Sequence, residues 1–297
     1  MISVIIPTHN RANLIGRAIE SVQNQTIEES IEIIVVSDGS TDDTKAVVSR
    51  YKSVRFIEYF PGINGNHARN VGAREAKGEY IAFLDDDDEW IQYKLEYQIK
   101  AMKLEKTGMS YTGVKIIYDN EGIAYYSRSR EFGDLSKRIL IDNCIGTTST
   151  VVVKKEIFEK VGGFDEKLDA LQDYDLWIRI CQITKVSCVS KDLVLYHNYT
   201  NKRQISSNTD RYEKAFYILE SKYKKEISEL LPSEEKRRIL GKISLLYNKC
   251  IRNGDRKRAK RYAAEIRAGG WIKRSIIMFV LSYIPFEIVL NIRRIFK

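Results

Sequence analysis

The stretch YIAFLDDDDEW, Tyr80–Trp90, joins a short apolar run to four consecutive aspartates, Asp85–Asp88. An apolar run of this length between polar segments predicts a buried strand. Adjacent carboxylates repel one another, so the block indicates either a solvated loop tip or a place where a cation binds. Because no His or Cys accompanies the aspartates, the cation would be a hard divalent ion, Mg²⁺ or Mn²⁺.

Short apolar runs alternate with helical segments through the first 90 residues. SVIIP, IEIIVV, VRFIEY and EYIAFL predict strands, while LIGRAIESVQ and ARNVGAREA predict two of the intervening helices. This alternation predicts an α/β fold with a doubly wound, mainly parallel sheet of the Rossmann-like kind. Ligands bind such sheets at the carboxyl ends of the strands. We therefore expect the loops PTHN (7–10), SDGS (37–40) and DDDD (85–88) to lie at one edge.

The rest of the chain divides into a strand-containing part and a helical part. YTGVKIIYDNEGIAYYS predicts two strands, TVVVKKEIFEKVGG a strand and a helix, and DYDLWIRI the start of a helix. VSCVS and LVLYH predict two further short strands, and the pattern after Arg211 is helical, with a turn at Asn253-Gly254. We divide the chain into a sheet domain (1–205), a helical extension (206–268) and a basic amphipathic tail (269–297).

Charge is concentrated at the carboxyl end. Residues 251–297 hold 12 Lys and Arg against 3 Asp and Glu, whereas residues 1–250 hold 37 of each sign. This end is therefore expected to meet an anionic partner. Pro285 and Glu287 interrupt its apolar part, which is shorter than the ~20 residues of a membrane span. A helix lying in an anionic membrane surface fits best, and a helix packed on the protein is the alternative. No nucleic acid is expected, because no recognition motif occurs.

The cysteines and the first ten residues indicate the cellular compartment in which the protein works. The four cysteines form no C-x-x-C pair, which indicates buried thiols in a reducing cytosol. The start MISVIIPTHN lacks a charged region followed by a long apolar one, so we expect no signal peptide.

The other two predicted loops carry side chains suited to a nucleotide. Asp38 follows an apolar strand and could accept hydrogen bonds from a base or sugar, or could instead cap the next helix. Pro7, Thr8 and Asn10 offer a stiff backbone and an amide for a flat base edge. Arg69 could pair with a phosphate. Neither G-x-G-x-x-G nor a Walker sequence occurs, which leaves a diphosphate held by a metal.

Four motifs, in order, resemble glycosyltransferase family 2, whose members have the GT-A fold. They are SVIIPTHNRANLIGRAIESVQNQT, EIIVVSDGSTDDT, ARNVGAREAKGEYIAFLDDDDEW and GGFDE…QDYDLWIR, and the resemblance covers residues 1–205. It implies transfer of a sugar from a nucleotide donor, commonly UDP-linked, to an acceptor hydroxyl with inversion. It also implies roles for individual residues. Those that border the nucleotide are Pro7, Thr8, Asn10, Asp38, Arg69, Asp85 and Asp86.

The resemblance places Asp87 on the metal and makes Asp173 the general base. An inverting displacement needs its base on the face opposite the leaving diphosphate, and a distant chain segment such as that of Asp173 can supply it. The alternative is a first-turn acid that stabilises a helix. The family usually has Glu where Gln172 stands, which changes the charge beside Asp173.

Weaker assignments concern the acceptor, the metal and a lid. Thr148, Ser149 and Gln172 could contact the acceptor, and His197 could be a metal ligand, although a structural histidine is the alternative. Lys202 and Arg203 could close over the diphosphate.

These features together predict an inverting glycosyltransferase that needs Mn²⁺ or Mg²⁺. Its donor would be a UDP-sugar and its acceptor a glycan or lipid-linked glycan, on the inner face of a bacterial membrane, in surface polysaccharide synthesis. A non-catalytic sugar-nucleotide-binding scaffold is one alternative. A nucleotidyltransferase is less suitable, because PTHNRANL lacks the Gly-rich loop and Lys of that class.

Overall fold

A computed structural model describes residues 1–198, 208–286 and 288–290. Residues 2–83 contain four parallel strands of the predicted kind, in the order β3-β2-β1-β4. The strands are β1 (Ile2–Thr8), β2 (Ile31–Asp38), β3 (Val54–Tyr59) and β4 (Tyr80–Phe83). The helices between them are α1 (Ile15–Gln23), α2 (Thr44–Val48) and α3 (Gly65–Glu75).

The later strands extend the same sheet in mixed orientation, so that the described residues form one nine-stranded sheet. The order continues from β4 as β8-β6-β9-β5, with β7 paired to β6. These strands are β5 (Glu89–Trp90), β6 (Met109–Tyr118), β7 (Ile123–Ser127), β8 (Val151–Lys154) and β9 (Val186–Asn198). The helices of this part are α4 (Lys94–Glu105), α5 (Arg138–Ile141), α6 (Lys155–Lys160) and α7 (Gln172–Cys181).

Strand β8 explains why the sheet is parallel on one side only. A 3₁₀ turn, Thr148–Thr150, lies beside the end of β4 and leads directly into β8. The strand must therefore run back from that edge, antiparallel to both β4 and β6. The doubly wound α/β fold is thus confirmed, with the parallel arrangement confined to β1–β4 and the β6–β9 pair.

One strand prediction was wrong. VSCVS and LVLYH are not two strands but parts of β9, which pairs with β6 along its whole length. The register shifts between Val189 and Val194, opposite Gly113. The polar sequence SKD at this point looks like a turn, but it forms a bulge that lets the strand continue.

The sheet separates two hydrophobic clusters. One packs under α1 and α4, and Ile15, Ala18, Ile19 and Val22 of α1 are buried there. The other contains α3, α7 and the helical extension, with Trp177 fully buried. All four cysteines are free thiols; Cys188 is half-buried, unlike the other three, so the prediction of buried thiols holds only in part.

The extension is helical, as predicted. Its helices are α8 (Thr209–Lys222), α9 (Lys224–Ser228), α10 (Pro232–Arg252) and α11 (Arg256–Ala268), and α12 (Ile272–Leu281) follows in the predicted tail. The turn at Asn253-Gly254 joins α10 to α11, with Gly254 at φ +69°. The predicted boundary at residue 205 lies outside the described residues. No helix of the described chain is both long and apolar enough to cross a membrane.

A buried ion network holds α8 against α7. The carboxylate of Asp175 is fully buried. It accepts from Arg179 Nη2 at 2.7 Å on one oxygen, and from Lys222 Nζ and Tyr223 Oη, both at 2.7 Å, on the other. Burial alone would raise the pKa of Asp175, but Arg179 and these hydrogen bonds outweigh it and lower the pKa. The negative charge of buried Asp175 is thus compensated by Arg179 and Lys222.

Removing that charge is expected to loosen the extension. Asp175→Asn leaves Arg179 and Lys222 without their shared carboxylate, a change that typically costs about 3–5 kcal/mol when an ion pair is buried. Because the pKa of Asp175 is lowered on folding, its stabilisation is present above its unfolded pKa and is lost as pH falls through the folded value.

Urea unfolding at neutral pH measures the effect. Asp173→Asn makes the same chemical change two residues away, where the carboxylate lacks these partners, and serves as the matched control. Equal stability of the two variants would contradict the assignment.

Candidate active site

A cavity of about 1070 Å³ opens at the carboxyl ends of β1, β2 and β4. The three loops predicted to meet at one edge do meet there. Ten of the thirteen predicted site residues line it: Pro7, Thr8, Asp38, Arg69, Asp85, Asp86, Asp87, Thr148, Gln172 and Asp173. Asn10, Ser149 and His197 are not part of its wall.

The four aspartates form a turn that sorts them into two groups. The backbone N–H of Asp88 donates to the carbonyl oxygen of Asp85 at 3.0 Å, which closes the turn. Asp88 points into the protein and is fully buried, where Ser149 Oγ donates to it at 2.6 Å. Asp85, Asp86 and Asp87 remain half-buried on the cavity side. The block is therefore neither a solvated loop nor four equivalent ligands.

Burial and neighbouring charge disfavour ionisation of two cavity carboxylates, Asp86 and Asp87. Burial and the charge of Asp87 raise the pKa of Asp86 to about 7. Burial and the charge of Asp85 likewise raise the pKa of Asp87. A bound cation would reverse this effect by favouring the ionised forms.

The donor set suits a hard divalent ion. The described residues contain no group of three or more His, Cys, Asp and Glu side chains placed to hold an ion by themselves. Mg²⁺-type sites commonly use only one or two carboxylates and complete the shell with substrate phosphates and water. The all-oxygen set at Asp85–Asp87 fits that kind of site, in which the ion and the phosphates arrive together.

Arg69 holds Asp85 in place. It lies in the second turn of α3, which begins at Gly65 because Asn64 Oδ1 accepts from the N–H of His67 at 2.9 Å. Arg69 Nη2 donates to Asp85 Oδ1 at 2.5 Å, and Thr148 Oγ1 lies 3.2 Å from both carboxylate oxygens. Asp85 is thus already paired, which leaves Asp87 as the more available carboxylate.

Asp38 borders the cavity, whereas Asn10 holds two loops together. Asp38 does not cap α2: the N–H of Thr44 donates to Asp42 Oδ1 at 3.0 Å instead. One oxygen of Asp38 accepts from the N–H of Ile63 at 2.6 Å, and the residue borders the cavity. Asn10 Oδ1 accepts from the N–H of Thr41 at 2.7 Å, so its amide joins the loops after β1 and β2.

Ser149 and His197 are also placed away from the cavity. Ser149 is fully buried, and its hydroxyl accepts from the N–H of Asp85 at 3.1 Å while donating to Asp88. The ring of His197 lies between Glu89, 2.9 Å from Nε2, and Asp119, 3.0 Å from Nδ1. Both residues brace the acidic turn from behind, so the expected acceptor contact of Ser149 and metal contact of His197 are not what this geometry supports.

Asp173 faces the cavity from the first turn of α7. Leu171 precedes the helix in the left-handed conformation, at φ 57°, and directs the chain so that Gln172 and Asp173 border the cavity. Burial, followed in effect by the charge of Asp85, raises the pKa of Asp173 to about 6. A half-buried carboxylate with a pKa near neutrality has the properties of a general base.

The sequence analysis missed the wall formed by the extension. α8 contributes Tyr212, Phe216 and Leu219, and α10 contributes Lys249 and Arg252. The polar positions 238, 242, 249 and 252 recur at helical spacing along α10 with Gly241 and Leu245, and this pattern was the available signal. The possible lid residues Lys202 and Arg203 lie outside the described residues.

Comparison with known proteins agrees with this geometry. Residues 3–162 match the family model "Glycosyl transferase family 2". An uncharacterized glycosyltransferase of Haemophilus influenzae is 29% identical over 301 residues and is matched over the full length of both chains. The Escherichia coli protein WfaP is 34% identical over 185 residues, 61% of this chain and 70% of that one. It is named a UDP-Glc:α-D-GlcNAc-diphosphoundecaprenol β-1,3-glucosyltransferase.

Solved structures show the same fold at low sequence identity. Staphylococcus aureus TarS 1–349 in complex with UDP-GlcNAc has a TM-score of 0.62 and 17% identity, with 94% of this chain and 89% of that one aligned. The mannosyltransferase PcManGT of Pyrobaculum calidifontis, in complex with GDP-Man and Mn²⁺, has a TM-score of 0.60 and 18% identity, with 99% and 86% aligned. The fold is GT-A, and the chain belongs to glycosyltransferase family 2.

Proposed function

We propose that this glycosyltransferase moves a sugar from a UDP-sugar to a hydroxyl of a lipid-linked glycan, with inversion and with a divalent ion. The supporting observation is that the Asp85–Asp87 turn and Asp173, from distant parts of the chain, border one cavity. The activity for which WfaP is named supports a diphosphate-linked acceptor, and the TarS complex with UDP-GlcNAc supports a UDP-sugar donor. The setting would be the cytoplasmic face of a bacterial membrane, in surface polysaccharide synthesis.

The nucleotide would occupy the edge formed by the first two loops and the acidic turn. Pro7, Thr8 and Asp38 offer a wall for the uracil and ribose, and Asp86 borders the same space. Asp85, held by Arg69, would lie beside the nucleoside. Asn10 would contribute indirectly, because its amide fixes the loop that carries these contacts.

Asp87 is the residue best suited to hold the metal, since Asp85 already has an arginine partner. Mn²⁺ or Mg²⁺, when bound there, supplies positive charge that offsets the charge developing on the departing diphosphate. Arg17 Nη2 donates to the backbone carbonyl of Asp87 at 2.9 Å and so orients the turn without using the carboxylate.

Asp173 would act as the base. The acceptor oxygen forms a bond to the anomeric carbon as the bond from that carbon to the UDP oxygen breaks. The acceptor proton passes to the Asp173 carboxylate. Attack from the face opposite UDP inverts the anomeric configuration. Asp173 is half-buried. Its exposed part gives the acceptor access, and its partial burial raises the pKa of the carboxylate enough for it to take a proton.

Gln172 is relevant to whether the protein catalyses sugar transfer or only binds a sugar nucleotide. It borders the cavity, as its neighbour does, and can donate and accept hydrogen bonds to an acceptor sugar. The retained carboxylate at Asp173 favours an enzyme over a scaffold, since a base is the group that catalysis cannot omit here.

The last described helix supports attachment to a membrane surface. One face of α12 packs on the protein through Met278, whose carbonyl accepts from Tyr247 Oη at 2.5 Å. Its outer face exposes apolar side chains, namely Ile272, Ile276, Ile277, Phe279 and Val280, and Tyr283 is exposed just after the helix. With Lys273 and Arg274 also exposed, the helix combines an apolar stripe with positive charge, as interfacial helices do.

UDP binding tests the donor site. We expect calorimetry to show UDP binding to the wild type with Mn²⁺ and a large loss of affinity in EDTA or in Asp87→Asn. Asp43→Asn makes the same chemical change at an exposed position outside the cavity and should bind normally. If UDP fails to bind under every condition while Asp87→Asn stays folded, the donor assignment is wrong.

The pH dependence of transfer tests Asp173. With a folded pKa of about 6, the base is ionised at neutral pH, so kcat/KM should fall as pH drops through about 6. Asp173→Asn should lose about 10²–10⁴ in kcat. UDP release from a panel of UDP-sugars with alkyl diphosphate-linked acceptors measures both. Unchanged UDP affinity in Asp173→Asn is the control, and an unaltered acid limb would exclude Asp173 as the base.

Vesicle flotation tests the tail. The protein should float with mixed phosphatidylglycerol–phosphatidylcholine vesicles and less with phosphatidylcholine alone, because both charge and apolar contact contribute. Ile276→Ser with Phe279→Ser should abolish flotation. Tyr217→Ser removes another exposed apolar side chain, on α8, and should not. Equal flotation of all variants would refute the role of α12.

A further inference from the structure

The cavity extends well past the aspartate turn. Its volume of about 1070 Å³ slightly exceeds the ~300–1,000 Å³ usual for ligand sites. Its far part is walled by α8 and α10, which belong to the extension and not to the part matched by the family model. The two parts differ in charge. Asp85, Asp86 and Asp87 border the strand ends beside Arg11 and Arg69. The helical wall carries Lys249 and Arg252, together with Arg238 and Lys242, which are paired with Glu220.

Lys249 is held in a defined position. Its Nζ lies 4.2 Å from the ring centroid of Tyr212, so the ammonium is stacked on an aromatic face. It stands one turn from Arg252 on the same helix. Burial, followed by the like charge of Arg252, lowers the pKa of Lys249 to about 8. Two cations on one wall of a cavity raise the positive potential there, which favours an anionic ligand.

The helix dipole explains only in part why Lys249 and Arg252 lie where they do. Cations in the last turn of a helix interact favourably with its dipole, and Lys249 and Arg252 occupy the last turn of α10. The dipole would be served equally well by cations on the outer face. It does not explain why both side chains border the cavity, or why a tyrosine of another helix holds one of them there.

The surroundings separate this pair from the donor side. The cations that most affect the pKa values of Asp86 and Asp87 are Arg11 and Arg17. Lys249 is instead influenced by Asp173, as is Tyr212, which it touches. Asp173, Tyr212 and Lys249 border the same cavity, so an acceptor whose hydroxyl reaches Asp173 would have Tyr212 and Lys249 available to its next groups.

We propose that Lys249 and Arg252, on α10, bind the phosphates of the acceptor, and that the acceptor is a sugar attached to a lipid through a diphosphate. The inference rests on the proposed function, since it presumes that Asp173 faces the acceptor. Arg211 of α8 also borders this part of the cavity and adds positive charge. The cavity has an apolar wall for a lipid as well, formed by Tyr118, Tyr125 and Phe286.

Calorimetry on the protein loaded with UDP and Mn²⁺ tests this subsite, because the donor site is then filled. The probes are farnesyl diphosphate, farnesol and inorganic pyrophosphate. Farnesyl diphosphate should bind the wild type. Lys249→Met and Arg252→Met should each weaken it about 10-fold, the usual scale for one charge-assisted hydrogen bond, and more in combination. Lys257→Met, at an exposed position on α11, should have no effect.

Three results would overturn the proposal. The first is farnesyl diphosphate that fails to bind the wild type or binds all variants alike. The second is a fall in UDP affinity as large as the fall in farnesyl diphosphate affinity, which would make the pair a donor clamp. The third is pyrophosphate or farnesol binding as tightly as farnesyl diphosphate, which would remove the need for a lipid-linked diphosphate.

Failure of the proposed function would be seen separately. UDP and Mn²⁺ binding to the wild type is measured first, and its absence would contradict the donor assignment whatever farnesyl diphosphate does. A normal donor site with no farnesyl diphosphate effect would instead leave the transferase proposal intact and reject only this subsite. Thermal melting of Lys249→Met and Arg252→Met confirms that each variant is folded.

Discussion

The hydrogen bond between Ser149 and Asp88 is the contact on which the site depends. It joins the turn after β4 to the 3₁₀ turn before β8. The same hydroxyl accepts from the N–H of Asp85, so one buried serine fixes both ends of the turn. A buried carboxylate is costly unless its hydrogen bonds are satisfied, and burial raises the pKa of Asp88 well above its usual range. Its inward position forces the three preceding carboxylates outward.

That constraint explains how four adjacent aspartates can be stable. Only three face the cavity, and Asp85 shares its charge with Arg69. The remaining repulsion is stored at Asp86 and Asp87, whose raised pKa values indicate that ionisation is unfavourable there without a cation. A site of this kind is weak toward metal alone. Under the proposed function, binding would become strong when a metal and a diphosphate are present together, because the phosphates complete the shell that the protein leaves open.

Much of this could be predicted from the sequence, for a physical reason. Apolar runs such as IEIIVV are buried on both faces, so they read clearly as strands, and strand ends then locate the loops. Side-chain direction is less accessible. Ser149 and Thr148 are neighbours of similar chemistry, yet only Thr148 borders the cavity, because the 3₁₀ turn points the two hydroxyls differently. The direction of the His197 side chain likewise depends on the register of β9, which the sequence analysis predicted as two separate strands.

The helical wall could not be predicted because it depends on contacts between segments far apart in the chain. Lys249 lies more than seventy residues after Asp173, and the buried charge of Asp175 is what brings α8, and with it the α10 wall, against α7. The alternating residues of the DYD sequence thus have opposite directions: Asp173 faces the cavity, and Asp175 faces the extension. One turn of α7 thereby carries both the carboxylate proposed as the base and the carboxylate that holds the helical wall proposed to meet the acceptor. The extension consequently forms part of the cavity wall, and under the proposed function that wall would contact the acceptor, while the donor would lie at the strand ends.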